Sequence, residues 1–416
     1  MSAPTRMTAH KQFRELWVLV IASGIDMVGF AMVLPLMPFY ALRLNATPEQ
    51  IGLLVAAYSI AQLLFAPVWG RVSDRYGRRP ALLIGLTAAA IAYIVFSFAD
   101  SLWLLFASRV IQGAGGGTTG VAHAYVADTI KPADRARALG WLSAASSVGV
   151  MVGPVIGSFA THWGTAVPGL VAASLCLINV GFAWRWLTES RQPGGDTHHA
   201  ERKPIWHAAW TVVRHPERPV SRFVWIYGAG MLGFSAMNAV LALYLNHRFG
   251  VDEKSIGYVF LYVGALSLVM RTLILGPAID RLGEPGVMRL GTVALGLGLV
   301  LYPLPGSLWL LALVIPLVPI GTALLFPATT ALMSRVSVKE ELGLTMGVAQ
   351  TFAGLARVIA PLAAASAYQR FGPPTPFYMA GGIVALVSVL AFRVVVPASA
   401  QPTPAEGMAP SRSGAA

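Results

Sequence analysis

Three ionisable side chains, Asp26, Arg109 and Arg357, interrupt stretches of sequence that are otherwise almost wholly apolar. Asp26 lies in VIASGIDMVGFAMVLPLMPFY, residues 20–40, and alone among the 18 acidic residues it falls well inside such a stretch. A charge at the centre of a bilayer costs at least about 2.5 kcal/mol and nearly always faces the interior of a helix bundle. Desolvation and a nearby arginine would act on its protonation in opposite directions. This competition predicts that Asp26 exchanges a proton for a cationic molecule.

Two other interpretations of Asp26 stay open. Its carboxylate could accept a hydrogen bond that bridges two helices without ever titrating, or it could be a fixed counter-charge to Arg109 or Arg357.

Arg109 lies in LFASRVIQGAGGG, residues 105–117, about 12 Å from the outer end of its apolar stretch. At this depth an arginine needs a partner inside the protein. Gln112 and Gly113 follow at positions i+3 and i+4 and therefore share its helical face. The pattern favours a role for Arg109 in proton coupling over its alternative, a bridge to backbone carbonyls between helices.

Other side chains at similar depths are weaker candidates for lining a substrate cavity. Arg357 could hold an anionic group of a substrate, pair with Asp26, or anchor its own helix to backbone carbonyls. His123 could relay protons, although a satisfied interior histidine is the favoured interpretation. The predicted cavity residues are Phe30, Met37, Tyr58, Gln62, Ser146, Asn238, Gln350 and Arg357.

Twelve apolar segments would position these residues, and each is long enough to cross about 30 Å of hydrocarbon. The chain has 416 residues, of which 56% are hydrophobic and 12% charged, about half the usual charged fraction of a soluble domain. The sequence therefore predicts an all-α membrane protein with twelve transmembrane helices. The segments lie at 16–40, 51–69, 80–99, 101–126, 139–160, 167–187, 223–246, 255–277, 288–304, 307–332, 344–368 and 376–396.

No motif in the chain predicts an enzyme. It contains no phosphate-binding loop, no G-x-S-x-G and no Cys/His cluster with metal-ligand spacing. We therefore expect no cofactor, no metal and no catalytic residue.

The basic residues predict an orientation in the membrane. With the N-terminus inside, the inner segments, both termini included, hold 22 of the 30 Lys and Arg residues and the outer segments hold 4. This bias predicts that both termini are cytoplasmic. The net charge of +12 therefore reports topology, and no nucleic-acid partner is expected.

The two halves of the chain repeat each other. GRVSDRYG at 70–77 and GPAIDRLG at 276–283 both read G-x-x-x-D-R-x-G, at an offset of 206. Such duplication is typical of transporters built from two matching bundles. We predict six-helix bundles at 1–187 and 223–396, a cytoplasmic linker at 188–222 with a short amphipathic piece, and a disordered tail at 397–416.

Three motifs lie in the first half: GRVSDRYGRRP at 70–80, L-x3-R-x2-Q-G at 105–113, and G-x8-G-x3-G-P-x2-G at 140–157. In these motifs the chain resembles the twelve-helix drug:proton antiporters of the major facilitator superfamily, including the tetracycline-efflux branch. The resemblance covers nearly the whole chain and is densest in the first half.

The resemblance implies a gate at the cytoplasmic ends of the helices. The aspartate matching Asp74 would lie at the start of the eleventh helix, and the arginine matching Arg78 would pair with Asp128 at the inner end of the fourth. These contacts would hold the halves together and break when the transporter opens inward. The implied gating residues are Gly70, Asp74, Arg75, Gly77, Arg78, Asp128, Asp280 and Arg281.

The third motif implies the direction of transport, because in the family it marks exporters. Small residues allow close helix packing and a proline bends the helix. Ser158 stands where the family often has a second glycine. The residues of this motif are Gly149, Gly153, Pro154 and Gly157.

The family's function would be proton-coupled export of hydrophobic, cationic or zwitterionic drugs by alternating access. The resemblance implies a monomer in the bacterial inner membrane, with Asp26 as proton carrier and Arg109 as the residue that tunes it. One alternative is a uniporter or proton symporter for a polar metabolite such as a sugar or an organic anion. The other is a membrane receptor or scaffold without transport.

Overall fold

The computed structural model describes residues 9–190, 205–337 and 341–393. These residues form sixteen α-helices, with a 3-10 turn at Thr161–Trp163 and a π-helical turn at Met270–Ile274. The helices are α1 Ala9–Val33, α2 Met37–Arg43, α3 Pro48–Tyr76, α4 Arg78–Ser97, α5 Leu102–Gly115, α6 Thr118–Thr129, α7 Pro132–Ala160, α8 Val167–Trp186, α9 Ile205–Arg214, α10 Pro219–Phe249, α11 Ile256–Val269, α12 Leu275–Leu301, α13 Leu308–Val314, α14 Leu317–Val336, α15 Leu342–Phe371 and α16 Thr375–Arg393.

Ten helical segments of the described chain are long and apolar enough to cross a membrane, not twelve. The difference has two local causes. The fourth predicted segment is broken into α5 and α6, which have 14 and 12 residues. The eighth and ninth predicted segments run on as one segment of 46 residues, Ile256–Leu301, with a kink at Gly283. Within the described residues, each of the twelve predicted segments therefore lies mostly in helix, and the protein is a multi-pass membrane protein.

The two ends of the helix bundle are named by the connections that they carry. The linker end carries the connection at residues 76–78 and residues 187–190, and is the end predicted to be cytoplasmic. The distal end carries the connections at residues 44–47 and 250–255. We call α1–α8 the N-terminal half and α10–α16 the C-terminal half.

Part of the predicted linker is described. The amphipathic piece forms α9, which buries Val212 and exposes Trp210. Because α10 begins at Pro219, the predicted linker ends a few residues earlier than expected. Residues 191–204 and the predicted tail at 397–416 lie outside the described residues.

The internal repeat is visible in the backbone. The two motif copies end on Gly77 and Gly283, which have φ angles of +105° and +67°. Residues with a Cβ rarely adopt such angles, so glycine allows the same sharp turn at both places. The offset of 206 residues therefore has a structural meaning.

The two halves meet through two equivalent contacts, each between a glycine of one half and the carbonyl group of a proline of the other half. A Cβ on Gly52 of α3 would lie 2.7 Å from the Pro361 carbonyl oxygen of α15. A Cβ on Gly257 of α11 would lie 2.8 Å from the Pro154 carbonyl oxygen of α7. Both glycines let the helix backbones touch near the distal end.

The same helices separate toward the linker end. A Cβ on Gly70 of α3, Gly140 of α7, Gly276 of α12 or Gly343 of α15 would meet no atom of the described residues within 4 Å. The described halves are thus in contact at the distal end and apart at the linker end.

Polar contacts strengthen the distal closure. Arg43 pairs with Glu253 across the halves, and Arg370 Nε lies 3.2 Å from Glu49 Oε1. These are exposed pairs, so each contributes only about 0.2–1 kcal/mol.

Candidate transport site

Asp26 is held by the broken helix. The break at Gly116–Gly117 places Thr118 at the first position of α6, where its Oγ1 donates a 3.0 Å hydrogen bond to Asp26 Oδ2. The first-turn N–H groups of a helix have no intrahelical acceptors and form the positive end of its dipole. The break therefore brings a polar, electropositive helix end to the carboxylate in the middle of the bundle.

Side chains of α3 stabilise the break. Trp69 Nε1 donates a 2.5 Å hydrogen bond to the Ala114 carbonyl, and Gln62 Nε2 donates one of 3.3 Å to the Gly116 carbonyl. Backbone carbonyls without helical partners need such donors inside a membrane. The GAGGG sequence predicts close packing, but it does not by itself predict this interruption.

A cavity lies against Asp26 on the side of α3. It has about 390 Å³ of empty space, including the part open to solvent. Three predicted residues line it: Phe30, Tyr58 and Gln62. The rings of Phe30 and Tyr58 have their centroids 5.2 Å apart, so the wall beside the carboxylate is aromatic.

Two predicted cavity residues lie elsewhere. Met37 is 1% exposed and packs in the hydrophobic core, because α1 ends at Val33 and the following turn changes the helical phase. Ser146 lines a different crevice within the N-terminal half. Among the described residues, Met37 therefore lines no cavity in this conformation, whereas the place of Ser146 in a substrate cavity stays a prediction.

The C-terminal half contributes exposed polar groups. Arg357 is exposed although it lies in the middle of α15, and its charge is within electrostatic range of the Tyr58 hydroxyl, as are those of Asp26 and Arg109. Gln350 is also exposed, with Nε2 3.5 Å from the Tyr227 hydroxyl.

Asn238, the remaining predicted cavity residue, is partly buried. It donates a 2.9 Å hydrogen bond to the Phe234 carbonyl of its own helix.

Arg109 is buried, and among the described residues no acidic side chain pairs with it. It is 2% exposed, and neither Nε nor Nη2 has a hydrogen-bond acceptor among the described residues. Its guanidinium lies 5.7 Å from the centroid of the Phe96 ring. One turn along, Gln112 Nε2 donates a 2.6 Å hydrogen bond to the Tyr93 hydroxyl.

No ion pair joins Asp26 to either arginine within the described chain, so the interpretation of Asp26 as a fixed counter-charge gains no support from this conformation. His123 is exposed on α6, five residues after Thr118.

The glycines of the third motif pack directly on the helix that carries Asp26. A Cβ on Gly149, Gly153 or Gly157 would lie 2.7 Å from the carbonyl oxygen of Gly24, Val28 or Met32, respectively. Close packing of α7 on α1 therefore fixes the position of the carboxylate. Gly140, which opens the motif, has no such neighbour.

At the first copy of the repeat motif, the predicted contact between Arg78 and Asp128 is present. Arg78 Nε lies 2.8 Å from Asp128 Oδ2, and Arg78 Nη1 lies 2.9 Å from Asp74 Oδ1. The Ser73 hydroxyl accepts another 2.8 Å hydrogen bond from Arg78. Arg75 lies over the Tyr76 ring instead. The position of Asp74 at the start of the eleventh helix stays a prediction.

Within the described chain, the second copy of the repeat motif, at residues 276–283, does not make the expected contacts through Asp280 and Arg281. Asp280 and Arg281 are exposed, whereas Arg335 Nη2 lies 2.6 Å from Glu284 Oε1. Glu284 and Arg335 follow Arg78 and Asp128 by 206 and 207 residues. The same ion pair is thus repeated with its charges exchanged, which the repeat offset could have predicted.

Sequence reasoning also missed Glu189. Its carboxylate accepts 2.8 Å and 3.1 Å hydrogen bonds from the backbone N–H groups of Arg78 and Arg79. It therefore caps the first turn of α4 and joins the gate loop to the beginning of the linker.

Comparison with known proteins places the chain. A family model described as Major Facilitator Superfamily matches residues 19–273 and 223–414. Tetracycline resistance protein, class C, of Escherichia coli is 31% identical over 86% of this chain and 90% of its own length. Multidrug resistance protein 2 of Bacillus subtilis (strain 168) is 27% identical over 81% and 84%.

Solved transporters share the fold. The nucleoside transporter NupG (D323A mutant) superposes with a TM-score of 0.74 at 15% identity, covering 91% of this chain and 98% of that one. The human organic anion transporter MFSD10 (TETRAN) gives a TM-score of 0.66 at 22% identity, covering 91% and 99%. The chain therefore belongs to the major facilitator superfamily, alongside the tetracycline and multidrug resistance proteins.

Proposed function

We propose that the protein exports hydrophobic, cationic or zwitterionic drugs in exchange for protons, by alternating access across the bacterial inner membrane. Asp26 carries the proton, and the aromatic wall of Phe30 and Tyr58 takes the apolar part of the drug. The exchange uses the proton gradient and needs no cofactor.

The observation that carries this proposal is the bond between Asp26 and Thr118. A hydroxyl can donate to a carboxylate and can equally accept from a protonated carboxyl group. Asp26 therefore keeps its partner in both states, and proton loss frees a negative charge beside a cavity. A cationic drug and a proton then compete for one group.

Topology and relatives support the direction. The excess of basic residues at the linker end favours a cytoplasmic position for that end and for both termini. The open separation of the halves there would admit a drug from the cytoplasm. The related proteins named for tetracycline and multidrug resistance fit export.

A liposome assay tests the function. The purified protein is reconstituted with an imposed pH gradient and offered tetracycline, ethidium and a sugar, with proton movement recorded by a pH-sensitive dye. We expect tetracycline or ethidium to move against protons, and Asp26→Asn to abolish gradient-driven transport.

Asp100→Asn is the matched control, because Asp100 is exposed in the connection before α5. Drug–proton exchange that survives in Asp26→Asn would refute the proposal. Movement of the sugar alone would favour a metabolite carrier.

Arg109 supports a second candidate, export of an organic anion. A buried guanidinium without an acidic partner is costly, and an anionic group of a substrate would offset that cost. Fluorescein in the same liposomes separates the two candidates. Its transport, abolished by Arg109→Gln but not by Asp26→Asn, would favour the anion.

A further inference from the structure

A second cavity reaches Asp26 from the other side. It has about 520 Å³ of empty space, including the part open to solvent, and lies among α1, α4, α6, α7 and α8. All five helices belong to the N-terminal half. Asp26 and Thr118 line both this cavity, which we call the side crevice, and the cavity of Phe30 and Tyr58. The carboxylate therefore stands between two spaces.

The side crevice has polar groups along its length. Ser23 precedes Asp26 by one helical turn, and Thr119 and His123 lie one turn apart on α6. Ser146 adds a hydroxyl from α7. Asp26 and His123 are the two ionisable side chains among its lining residues.

The position of His123 suits proton exchange with water. The imidazole is exposed, and no hydrogen bond fixes it within the described part of the chain. It lies between Asp26 and the linker end, because α6 runs from Thr118 to Thr129. Leu187, the residue after α8, marks the same end of the crevice.

We propose that the side crevice is a proton route to Asp26 that stays free when a drug fills the cavity of Phe30 and Tyr58, with His123 as its proton-relaying residue. The proton leaves the Asp26 carboxyl group, passes through water and the His123 imidazole, and enters the solvent at the linker end. No other bond changes. This inference rests on the proposed proton exchange.

A separate route removes a physical conflict. A drug entering from the linker end would otherwise cover the carboxyl group before its proton could leave. With the side crevice open, the arriving drug displaces the proton into a space that the drug does not occupy.

Thiol labelling tests the route. Cys176 is the only cysteine and is buried, so Cys176→Ala provides the background. Ser23→Cys marks the side crevice, and Gln62→Cys marks the other cavity. Each is treated with a small methanethiosulfonate, with and without whichever of tetracycline and ethidium the liposomes transport.

We expect the drug to slow labelling of Gln62→Cys by about tenfold or more and to leave Ser23→Cys unchanged, since only bound drug covers residue 62. An unreactive Ser23→Cys, or equal protection at both positions, would overturn the proposal.

His123→Gln tests the relay. We expect proton-driven efflux to fall by about tenfold or more, whereas exchange of labelled for unlabelled drug, which needs no net proton movement, stays at the wild-type rate. His162→Gln, an exposed histidine at the distal end, is the control. Equal loss of both activities, or loss of neither, would overturn the role of His123. Failure of Asp26→Asn to stop exchange with protons would instead refute the proposed function.

Discussion

Ser158 makes a hydrogen bond that a glycine at its position could not. Its Oγ accepts a 2.9 Å bond from the Gly257 N–H across the two halves. Gly257 lies in the first turn of α11, where backbone N–H groups lack helical acceptors. The departure from the family motif therefore adds a polar contact to the distal closure.

Removing this hydroxyl should favour opening of the distal end. A buried hydrogen bond contributes about 1 kcal/mol, so Ser158→Ala should shift the closed-to-open ratio about fivefold. Spin labels at Trp163 and Phe371, both exposed at the distal end, would report it as a longer distance.

Thr161→Val is the control for Ser158→Ala, since within the described chain the hydroxyl of Thr161 donates its hydrogen bond to the Ser158 carbonyl of its own turn. The assignment fails if both variants give the same distance distribution.

At the scale of the helices, the packing of α7 on α1 controls the position of Asp26, because α1 is the helix that carries this residue. Gly153 has no room for a side chain, with the Val28 carbonyl oxygen 2.7 Å from a Cβ. Gly153→Val should cost about 1–3 kcal/mol through overpacking and should reduce drug–proton exchange by displacing α1.

Gly140→Val is the matched control in the same helix and the same motif, because a Cβ there meets open space. Thermal unfolding and liposome exchange would measure both variants. Equal losses would show that the motif glycines act through the helix propensity of α7 and not through α1.

The exchanged ion pair of the second loop gives another prediction at this scale. Glu284→Arg should lower the unfolding temperature, since two arginines would meet and a charged hydrogen bond worth about 1.5–3 kcal/mol is lost. Adding Arg335→Glu should restore at least half of the loss, because it recreates the order found at Arg78 and Asp128.

Asp280→Asn is the control, since Asp280 is exposed. No recovery in the double variant would mean that Glu284 and Arg335 act independently.

The helices and the ion pairs at the two copies of the repeat motif could largely be predicted from the sequence, since the length of an apolar segment and the repeat offset are both read directly from it. Arg78 and Asp128 are found together as the resemblance implies. The break before Thr118 could not be predicted, because it depends on donors from α3. The burial of Met37 depends in the same way on a turn that changes the phase of α1.

At the scale of the whole molecule, the same helices touch the other half at the distal end and stand apart from it at the linker end. Gly52 of α3 touches the other half, whereas Gly70 of the same helix stands in open space. Transport to the distal side therefore requires the contacts at Gly52 and Gly257 to separate. Tilting of rigid halves about the middle of the bundle would achieve this while the linker end closes.

Joining the distal ends should stop transport without removing the binding site. Arg43 and Glu253 form a cross-half pair there, so cysteines at both positions in a Cys176→Ala background can be linked by a short bismaleimide. We expect the linked protein to bind tetracycline or ethidium from the linker end with wild-type affinity and to export neither.

A pair of cysteines at Tyr76 and Trp184 within the N-terminal half, both exposed near the linker end, is the control and should leave export intact after linking. Export that continues in the protein linked at residues 43 and 253 would show that drugs reach the distal side without separation of the halves. The binding site and the distal side would then be connected by a path other than the interface at Gly52 and Gly257.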